Sequence, residues 1–258
     1  MTGNMGWHSM NELKQQTIAL YSKQLRLPTF NQYPEVVRGL DQEKGYDDFL
    51  IFLMKQELQS RMESSHKRKI RAANFPYIKT MDELDYTRFE NIEEPFLRQL
   101  GSCDFVTKKQ NIVMLGNPGT GKTHLSIALG VKACLAGMNV KFFRAANLAN
   151  ELIEAQDHRR LTKFERQISK ADLLIVDELS YLTFNRHQSE LLFKVIADRS
   201  ERQSVIVSTN LKFSDWTNIF ENTTMVTALI DRLTFRSHVL NMNSEHPYRA
   251  DYSAIINN

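Results

Sequence analysis

The sequence contains little cysteine, proline or glycine, and it has no long apolar run. Its 258 residues include 2 cysteines, 6 prolines and 10 glycines. The isolated cysteines, Cys103 and Cys134, are too few and too scattered for a disulfide framework or a zinc site. We therefore expect a reducing location, the cytoplasm. Apolar stretches such as Ile112–Leu115 are far shorter than the ~20 residues that a membrane-spanning helix needs. No signal peptide is recognisable, so we expect a soluble protein with no membrane partner.

The charges nearly balance, but the positive surplus is unevenly placed. The chain has 33 Lys and Arg against 30 Asp and Glu, and its 42% hydrophobic residues suffice for a globular core. This composition excludes a disordered or collagen-like chain. Residues 1–79 contain 12 basic and 8 acidic residues, so the N-terminal third supplies the whole surplus. It is densest at residues 66–71.

Hydrophobic spacing predicts a small helical domain followed by an α/β domain. Apolar residues recur at three- and four-residue steps over Asp47–Arg71, which is typical of a long amphipathic helix. Earlier helices are expected over Met10–Leu25 and Tyr33–Lys44. We expect a helical domain at residues 1–75, an irregular linker at 76–102 and an α/β domain at 103–258.

Short apolar strands alternate with helical patterns after Cys103. This alternation predicts a parallel sheet covered by helices on both faces. The expected strands are Asn111–Leu115, Val140–Phe143, Leu173–Val176, Ser204–Ser208 and Val239–Met242, with helices at Lys122–Leu135, Asn147–Ala155 and Gln188–Arg199.

A phosphate-binding loop (P-loop) lies between the first of these strands and its helix. Glycines let the loop aim backbone N–H groups at phosphate oxygens, and the following helix adds its dipole. The lysine of such a loop reaches the β- and γ-phosphates of ATP, and the hydroxyl after it can bind Mg²⁺. The loop comprises Gly116, Asn117, Pro118, Gly119, Thr120, Gly121, Lys122 and Thr123, and we add His124, which follows it, to the expected nucleotide-binding residues.

Two acidic residues end the third strand, at the sheet edge where the P-loop is expected. Asp177 would hold Mg²⁺ with Thr123, and Glu178 would polarise the attacking water as a general base. A solvated strand end is the alternative. Asn210, after the fourth strand, could reach the γ-phosphate or could belong to an ordinary polar cluster. Arg232, on a short amphipathic turn, could be an arginine finger acting on a neighbouring subunit or half of a surface ion pair.

Four segments together resemble the IstB-like helper ATPases of bacterial insertion sequences, AAA+ proteins close to the helicase loader DnaC and the initiator DnaA. They are GNPGTGKTHLSIALG, DLLIVDELSYL, ELLFKVIADRSERQSVIVSTNLKFSDW and ALIDRLTFRSHVLNM. The likeness extends from Leu25 to Arg249. Ser180-Tyr181-Leu182 and Phe213-Ser214-Asp215-Trp216 follow the IstB pattern rather than that of DnaC.

The resemblance implies an AAA+ ATPase that lacks the helical lid. Lys122 and Thr123 match the Walker A motif, Asp177 and Glu178 match Walker B, and Asn210 matches sensor 1. Arg232 falls in the region that supplies the arginine finger, whereas a second sensor arginine, Arg236 or Arg249, stays unassigned. The resemblance further implies a homo-oligomer that assembles with ATP on double-stranded DNA, selects the target and recruits and stimulates a transposase. Hydrolysis would control its disassembly.

Two basic runs offer a physical basis for binding DNA. Lysine and arginine neutralise phosphates with little base specificity. The alternative is that each run is a solvated helix face. The runs are Lys67, Arg68, Lys69 and Arg71, and Arg159, Arg160, Lys163 and Arg166.

Two other functions remain open from the sequence. A DnaC-like helicase loader would dock a helicase ring through the helical domain and prefer single-stranded DNA. A metabolic phosphotransferase is less consistent with the chain, because no second substrate pocket is recognisable.

Overall fold

A computed structural model describes residues 4–39, 46–89, 91–179, 184–220 and 222–243. The chain divides into two compact units, Met1–Lys67 and Arg68–Asn258. The division at residues 75 and 102 stays a prediction. Within the described ranges, no helix is long and apolar enough to cross a bilayer. The helices are α1 (Asn4–Leu25), α2 (Tyr33–Gly39), α3 (Tyr46–Ala73), α4 (Glu94–Leu100), α5 (Asp104–Thr107), α6 (Lys122–Leu135), α7 (Ala145–Asp157), α8 (Leu161–Ser169), α9 (Arg186–Arg202) and α10 (Thr223–Thr234). The strands are β1 (Asn111–Leu115), β2 (Val140–Arg144), β3 (Leu173–Asp177), β4 (Ser204–Thr209) and β5 (Ser237–Asn241).

The first unit is helical and is held together around a buried acid. Glu57 of α3 accepts hydrogen bonds from the hydroxyl of Thr29 at 2.7 Å and from Arg61 Nε at 2.7 Å. Arg61 also donates to the carbonyl of Arg26 at 2.6 Å. Since a buried carboxylate needs such partners, these contacts fix the short 3₁₀ helix Pro28–Gln32 against α3.

The predicted amphipathic helix is present, but its apolar residues are not all buried. Leu53 is buried, whereas Leu50, Met54, Leu58 and Met62 are exposed. Periodicity therefore located the helix correctly and overestimated how much of its apolar face is covered.

The second unit contains a five-stranded parallel sheet of order β2-β3-β4-β1-β5. Strand β4 lies between β3 and β1. Its residue Val207 is aligned with Val176 of β3 on one side and with Val113 of β1 on the other. Each strand that bears a predicted site residue thus ends at the same edge of the sheet. The five predicted strands are all present, and β1 and α6 have their predicted bounds.

Apolar layers cover both faces of the sheet, which explains why its central strands are almost continuously apolar. On one face, Ile112 and Ile175 belong to a core formed largely with α6. On the other face, Val113 and Val176 belong to a core formed with α7, α9 and α10. Alternate residues of one strand therefore contribute to opposite layers.

Several short helical elements were not expected from the sequence. The segment predicted as an irregular linker includes 3₁₀ helices at Met81–Glu83 and Tyr86–Arg88 as well as α4, and it buries Leu97 and Leu100 in the core beside α6. The region around Arg232, predicted as a short turn, is the 12-residue helix α10. The predicted extension of the helix Tyr33–Lys44 beyond Gly39 lies outside the described residues.

Candidate nucleotide-binding site

The P-loop connects β1 to α6 and depends on glycine at two points. Gly121 caps α6 with a φ of 89°, a left-handed conformation that other residues rarely adopt. Gly116 lies so close to the segment that follows β5 that an added Cβ would be 2.7 Å from the carbonyl carbon of Met242. Side chains at these positions would therefore distort the loop.

The side chain of Lys122 folds back onto the P-loop. Its Nζ donates to the carbonyl of Gly116 at 2.6 Å and to that of Asn117 at 2.7 Å. The side-chain oxygen of Thr120 is 3.4 Å away. Lys122 is buried, so its ammonium is held against the loop that is predicted to bind phosphate.

The predicted metal-binding residues meet beneath the loop. Thr123 Oγ1 lies 2.9 Å from Asp177 Oδ2, although 54 residues separate them in the sequence. Asp177 is fully buried at the end of β3. Its second oxygen, Oδ1, accepts a short hydrogen bond from the hydroxyl of Ser208 on β4. The carboxylate is thus held between two hydroxyl groups.

These ligands fit a magnesium ion. Mg²⁺ prefers hard oxygen ligands and is often held by one or two protein oxygens together with substrate phosphates. Thr123 and Asp177 provide a hydroxyl and a carboxylate oxygen at hydrogen-bond distance. No group of three or more His, Cys, Asp or Glu that could hold a metal occurs in the parts of the chain that the structure describes. The site therefore suits an ion that phosphate oxygens help to bind.

Glu178, the first residue after β3, has an unusual backbone conformation. Its φ is 57°, and a left-handed backbone costs about 1–2 kcal/mol for a residue with a Cβ. Its carboxylate lies 3.5 Å from Arg144 Nε at the end of β2, and 29% of the Glu178 side chain is exposed. Glu178 is therefore next to the predicted Mg²⁺ ligands and partly open to solvent, as its predicted role of activating water requires.

The remaining predicted site residues occupy different surroundings. Asn210 directly follows β4, at the same sheet edge as the P-loop. His124 is in the first turn of α6, and burial, with the nearby charge of Lys79, lowers its pKa. Arg232 instead contacts α9, where its Nε is 2.9 Å from Glu201 Oε1. Its guanidinium also lies over the ring of Phe193.

Sequence reasoning missed three residues that contact the predicted site. Asn243 Oδ1 accepts a hydrogen bond from the backbone N–H of Asn117 at 3.0 Å. Arg144 pairs with Glu178, and Ser208 binds Asp177. Ser208 ends the predicted fourth strand, two residues before Asn210, and only the three-dimensional pairing of β3 with β4 identifies its partner.

One residue of the first basic run and two residues of the second line adjoining cavities within the second unit. One cavity, of about 370 Å³, includes Arg71, Lys141 and Phe164 in its lining. The other, of about 230 Å³, includes Arg160, Lys163 and the same Phe164. Of the predicted DNA-binding residues, Lys69 is half-buried and donates to Asn139, and the others are exposed: Lys67, Arg68, Arg71, Arg159, Arg160, Lys163 and Arg166.

Some predicted features cannot be placed. The Ser180-Tyr181-Leu182 motif and Arg249 lie outside the described residues. Arg236 follows α10, and its guanidinium lies 5.7 Å from the centre of the Phe235 ring. It stays an unassigned candidate for a second sensor.

Solved structures share this architecture. The DnaC helicase loader superimposes with a TM-score of 0.50 at 20% identity, over 69% of this chain and 99% of that one. AMPPCP-bound DnaA from Aquifex aeolicus superimposes with a TM-score of 0.54 at 17% identity, over 65% of this chain and 51% of that one. At such identities the likeness concerns the fold, and it confirms the predicted AAA+ P-loop architecture with a parallel sheet.

Sequence relatives are more specific. The "Insertion sequence IS21 putative ATP-binding protein" of Pseudomonas aeruginosa is 37% identical over 203 residues, 79% of this chain and 77% of that protein. The "Insertion sequence IS5376 putative ATP-binding protein" of Geobacillus stearothermophilus is 35% identical over 201 residues, 78% of this chain and 80% of that protein. The family model described as "IstB-like ATP binding protein" matches residues 21–253. The predicted resemblance is confirmed, and the chain belongs to the IstB-like ATP-binding protein family.

Proposed function

We propose that this chain is a Mg²⁺-dependent ATPase that assists transposition. With ATP bound it assembles on duplex DNA as a homo-oligomer, selects the target site, and recruits and stimulates the transposase of its insertion sequence. Hydrolysis of ATP to ADP and phosphate then controls disassembly.

The contact between Thr123 and Asp177 carries the ATPase part of this proposal. A hydroxyl beneath the P-loop and a buried carboxylate are 2.9 Å apart, and Glu178 follows the carboxylate directly. Together they supply the oxygen ligands for Mg²⁺ and a base for the attacking water. Lys122 would neutralise charge on the β- and γ-phosphates, and Asn210 would contact the γ-phosphate or orient the water.

The basic residues beside α8 support binding to DNA. Arg71 from the end of α3 and Lys163 from α8 line adjoining cavities, so two runs far apart in sequence contribute to one region of the surface. Glu151 lines both cavities, and its negative charge would repel a DNA phosphate. We therefore expect DNA to contact only the exposed basic side chains around them. Such contacts bind the DNA backbone with little dependence on sequence, as a target selector requires.

Arg232 supports the oligomeric part of the proposal. It is 41% exposed and paired with an exposed acid, Glu201, which the nucleotide of a neighbouring subunit could replace. An arginine supplied from another subunit stabilises charge in phosphoryl transfer. Hydrolysis would therefore depend on assembly.

The two free thiols are consistent with the proposed cytoplasmic location. Cys103 and Cys134 are unpaired and buried, and burial raises the pKa of each thiol to about 11. Both thiols therefore remain protonated and unreactive at neutral pH.

Retention of DNA tests the proposed switch. Duplex DNA on a solid support is incubated with the wild type, with and without ATP and Mg²⁺, and the bound protein is measured. We expect retention to require ATP and to be lost in Lys122→Ala. The matched control is Lys108→Ala, which removes an exposed lysine before β1. Purified transposase should then join the ATP-bound assembly.

Retention that does not depend on nucleotide, and that Lys122→Ala leaves unchanged, would contradict the switch. A preference for single strands together with binding to a hexameric helicase would favour the helicase-loader function instead.

A further inference from the structure

We propose that Ser208 is a positioning residue for the nucleotide site, whose hydroxyl holds the Asp177 carboxylate and the backbone of Glu178 in one arrangement. This inference rests on the proposed ATPase function, because it assigns a role within the same site. It concerns a side chain that need not touch the nucleotide itself.

The hydroxyl of Ser208 makes one hydrogen bond to each of the two acidic residues. Its oxygen accepts from the backbone N–H of Glu178 at 3.0 Å. Its single hydrogen is donated to Asp177 Oδ1. Because a hydroxyl has one hydrogen to donate, the two contacts assign donor and acceptor without ambiguity.

The backbone of Ser208 adds a third contact. Its carbonyl accepts from the N–H of Leu179 at 2.9 Å. The side chain and the carbonyl of one residue thus bind two successive N–H groups, on either side of the left-handed turn at Glu178. The Glu178 side chain extends from this turn. By binding both N–H groups, Ser208 therefore fixes the backbone position of the predicted base.

A purely structural serine would not require this arrangement. Ser204, at the other end of β4, is equally buried, and its hydroxyl donates to the carbonyl of Phe105 at 3.2 Å. A local backbone acceptor is therefore sufficient to satisfy a buried hydroxyl in this strand. Ser208 instead binds the carboxylate that faces Thr123, which connects it to the Mg²⁺ ligands.

Removing the Ser208 hydroxyl should weaken Mg²⁺ binding and slow turnover, and it should leave the direct contacts between protein and nucleotide intact. Without it, Asp177 loses one of its two hydroxyl contacts and keeps that of Thr123, and the N–H of Glu178 loses this acceptor. A hydrogen bond to a charged group is worth enough to change an equilibrium about tenfold or more. We therefore expect Ser208→Ala to raise the Mg²⁺ concentration for half-maximal turnover and lower kcat about tenfold, with the KM for ATP within about twofold.

The experiment compares Ser208→Ala with Ser204→Ala, which is the same substitution in the same buried strand. Ser208→Thr, which keeps a hydroxyl, should restore wild-type behaviour. Thermal unfolding of each variant checks the fold. Should Ser208→Ala fail to fold, Ser208→Cys takes its place with the same expectation, because sulfur is nearly isosteric and a much weaker donor. Binding of a fluorescent ATP analogue, with and without Mg²⁺, gives a second readout that does not need hydrolysis.

The outcomes separate this inference from the proposed function. If the wild type turns over ATP and Ser208→Ala matches Ser204→Ala in kcat and Mg²⁺ dependence, the positioning role is wrong. If the wild type has no turnover, the ATPase proposal fails. The Mg²⁺-dependent gain in nucleotide affinity then decides the role of Ser208: a gain lost in Ser208→Ala alone supports it, and an unchanged gain overturns it.

Discussion

The guanidinium of Arg144, at the end of β2, lies 3.5 Å from the carboxylate of Glu178, just beyond β3. The two strands are neighbours in the sheet, and Arg144 lies opposite Asp177 in their register. The proposed base is therefore held beside a cation of its own subunit, on the side away from β4. Arg144 therefore competes with an attacking water for the carboxylate of Glu178.

Replacing Arg144 should free the Glu178 carboxylate from its ion pair. An exposed ion pair is worth at most about 1 kcal/mol, so we expect Arg144→Gln to raise turnover without DNA by no more than about fivefold. Stability should be nearly unchanged. Steady-state ATPase rates and the unfolding midpoint are the measurements. Arg186→Gln, which breaks an exposed pair with Glu190 on α9, is the control and should change neither. A fall in turnover would indicate that Arg144 assists the reaction.

Replacing Glu178 should separate binding from hydrolysis. General bases contribute about 10²–10⁴ to rate, so Glu178→Gln should lower kcat by at least about 100-fold. The amide keeps the size of the side chain, and Lys122 and Thr123 are untouched, so ATP should still bind. Protein should then remain on duplex DNA for longer, as timed dissociation can show. Rapid turnover by this variant would remove Glu178 from the role of base.

Arg232 should act on a neighbouring subunit. Arginine fingers are worth about 10³–10⁵ in kcat, so Arg232→Ala should bind ATP normally and lose hydrolysis. Mixing it with Glu178→Gln, which binds ATP without hydrolysing it and keeps Arg232, should restore turnover in mixed assemblies. Glu201→Gln removes only the intramolecular partner and should keep the activity. A mixture that stays inactive while both variants assemble would contradict action between subunits.

Lys163 should contribute a phosphate contact. Each such contact adds about 1 to the slope of log affinity against log salt concentration, so Lys163→Gln should reduce that slope by about 1. The loss should be similar for unrelated duplex sequences. Lys194→Gln removes the same charge from α9, where the lysine is paired with Glu165 at 2.7 Å, and should leave the slope unchanged. Equal slopes for both variants would place the DNA elsewhere.

The sequence predicted the sheet and the P-loop well because both follow from local patterns. The apolar run Asn111–Leu115, the glycines after it and the helical pattern Lys122–Leu135 each specify their own element, and the structure has the same bounds. The acids after Leu173–Val176 could likewise be placed at one sheet edge, since parallel strands end on the same side.

Contacts between distant segments could not be predicted in this way. Ser208 and Asp177 are 31 residues apart, and Asn117 and Asn243 are 126 residues apart. Nothing in their local sequence specifies the partner, because strand order and register decide it. The exposure of Leu58 and Met62 on α3 was also missed, since periodicity shows which residues share a helix face but not whether another element covers that face.

The strand order also has a consequence for how the chain is made. The P-loop begins where β1 ends, and both neighbours of β1 come from the last quarter of the sequence: β4 at Ser204–Thr209 and β5 at Ser237–Asn241. Gly116 donates its N–H to the carbonyl of Thr209, and Met242 donates to the carbonyl of Leu115. During translation, a nascent chain that has emerged only as far as α9 has therefore not yet acquired the strands that flank this loop. Such long-range pairing forms slowly. We therefore expect a nascent chain to bind nucleotide only after β4 and β5 have emerged from the ribosome and paired with β1.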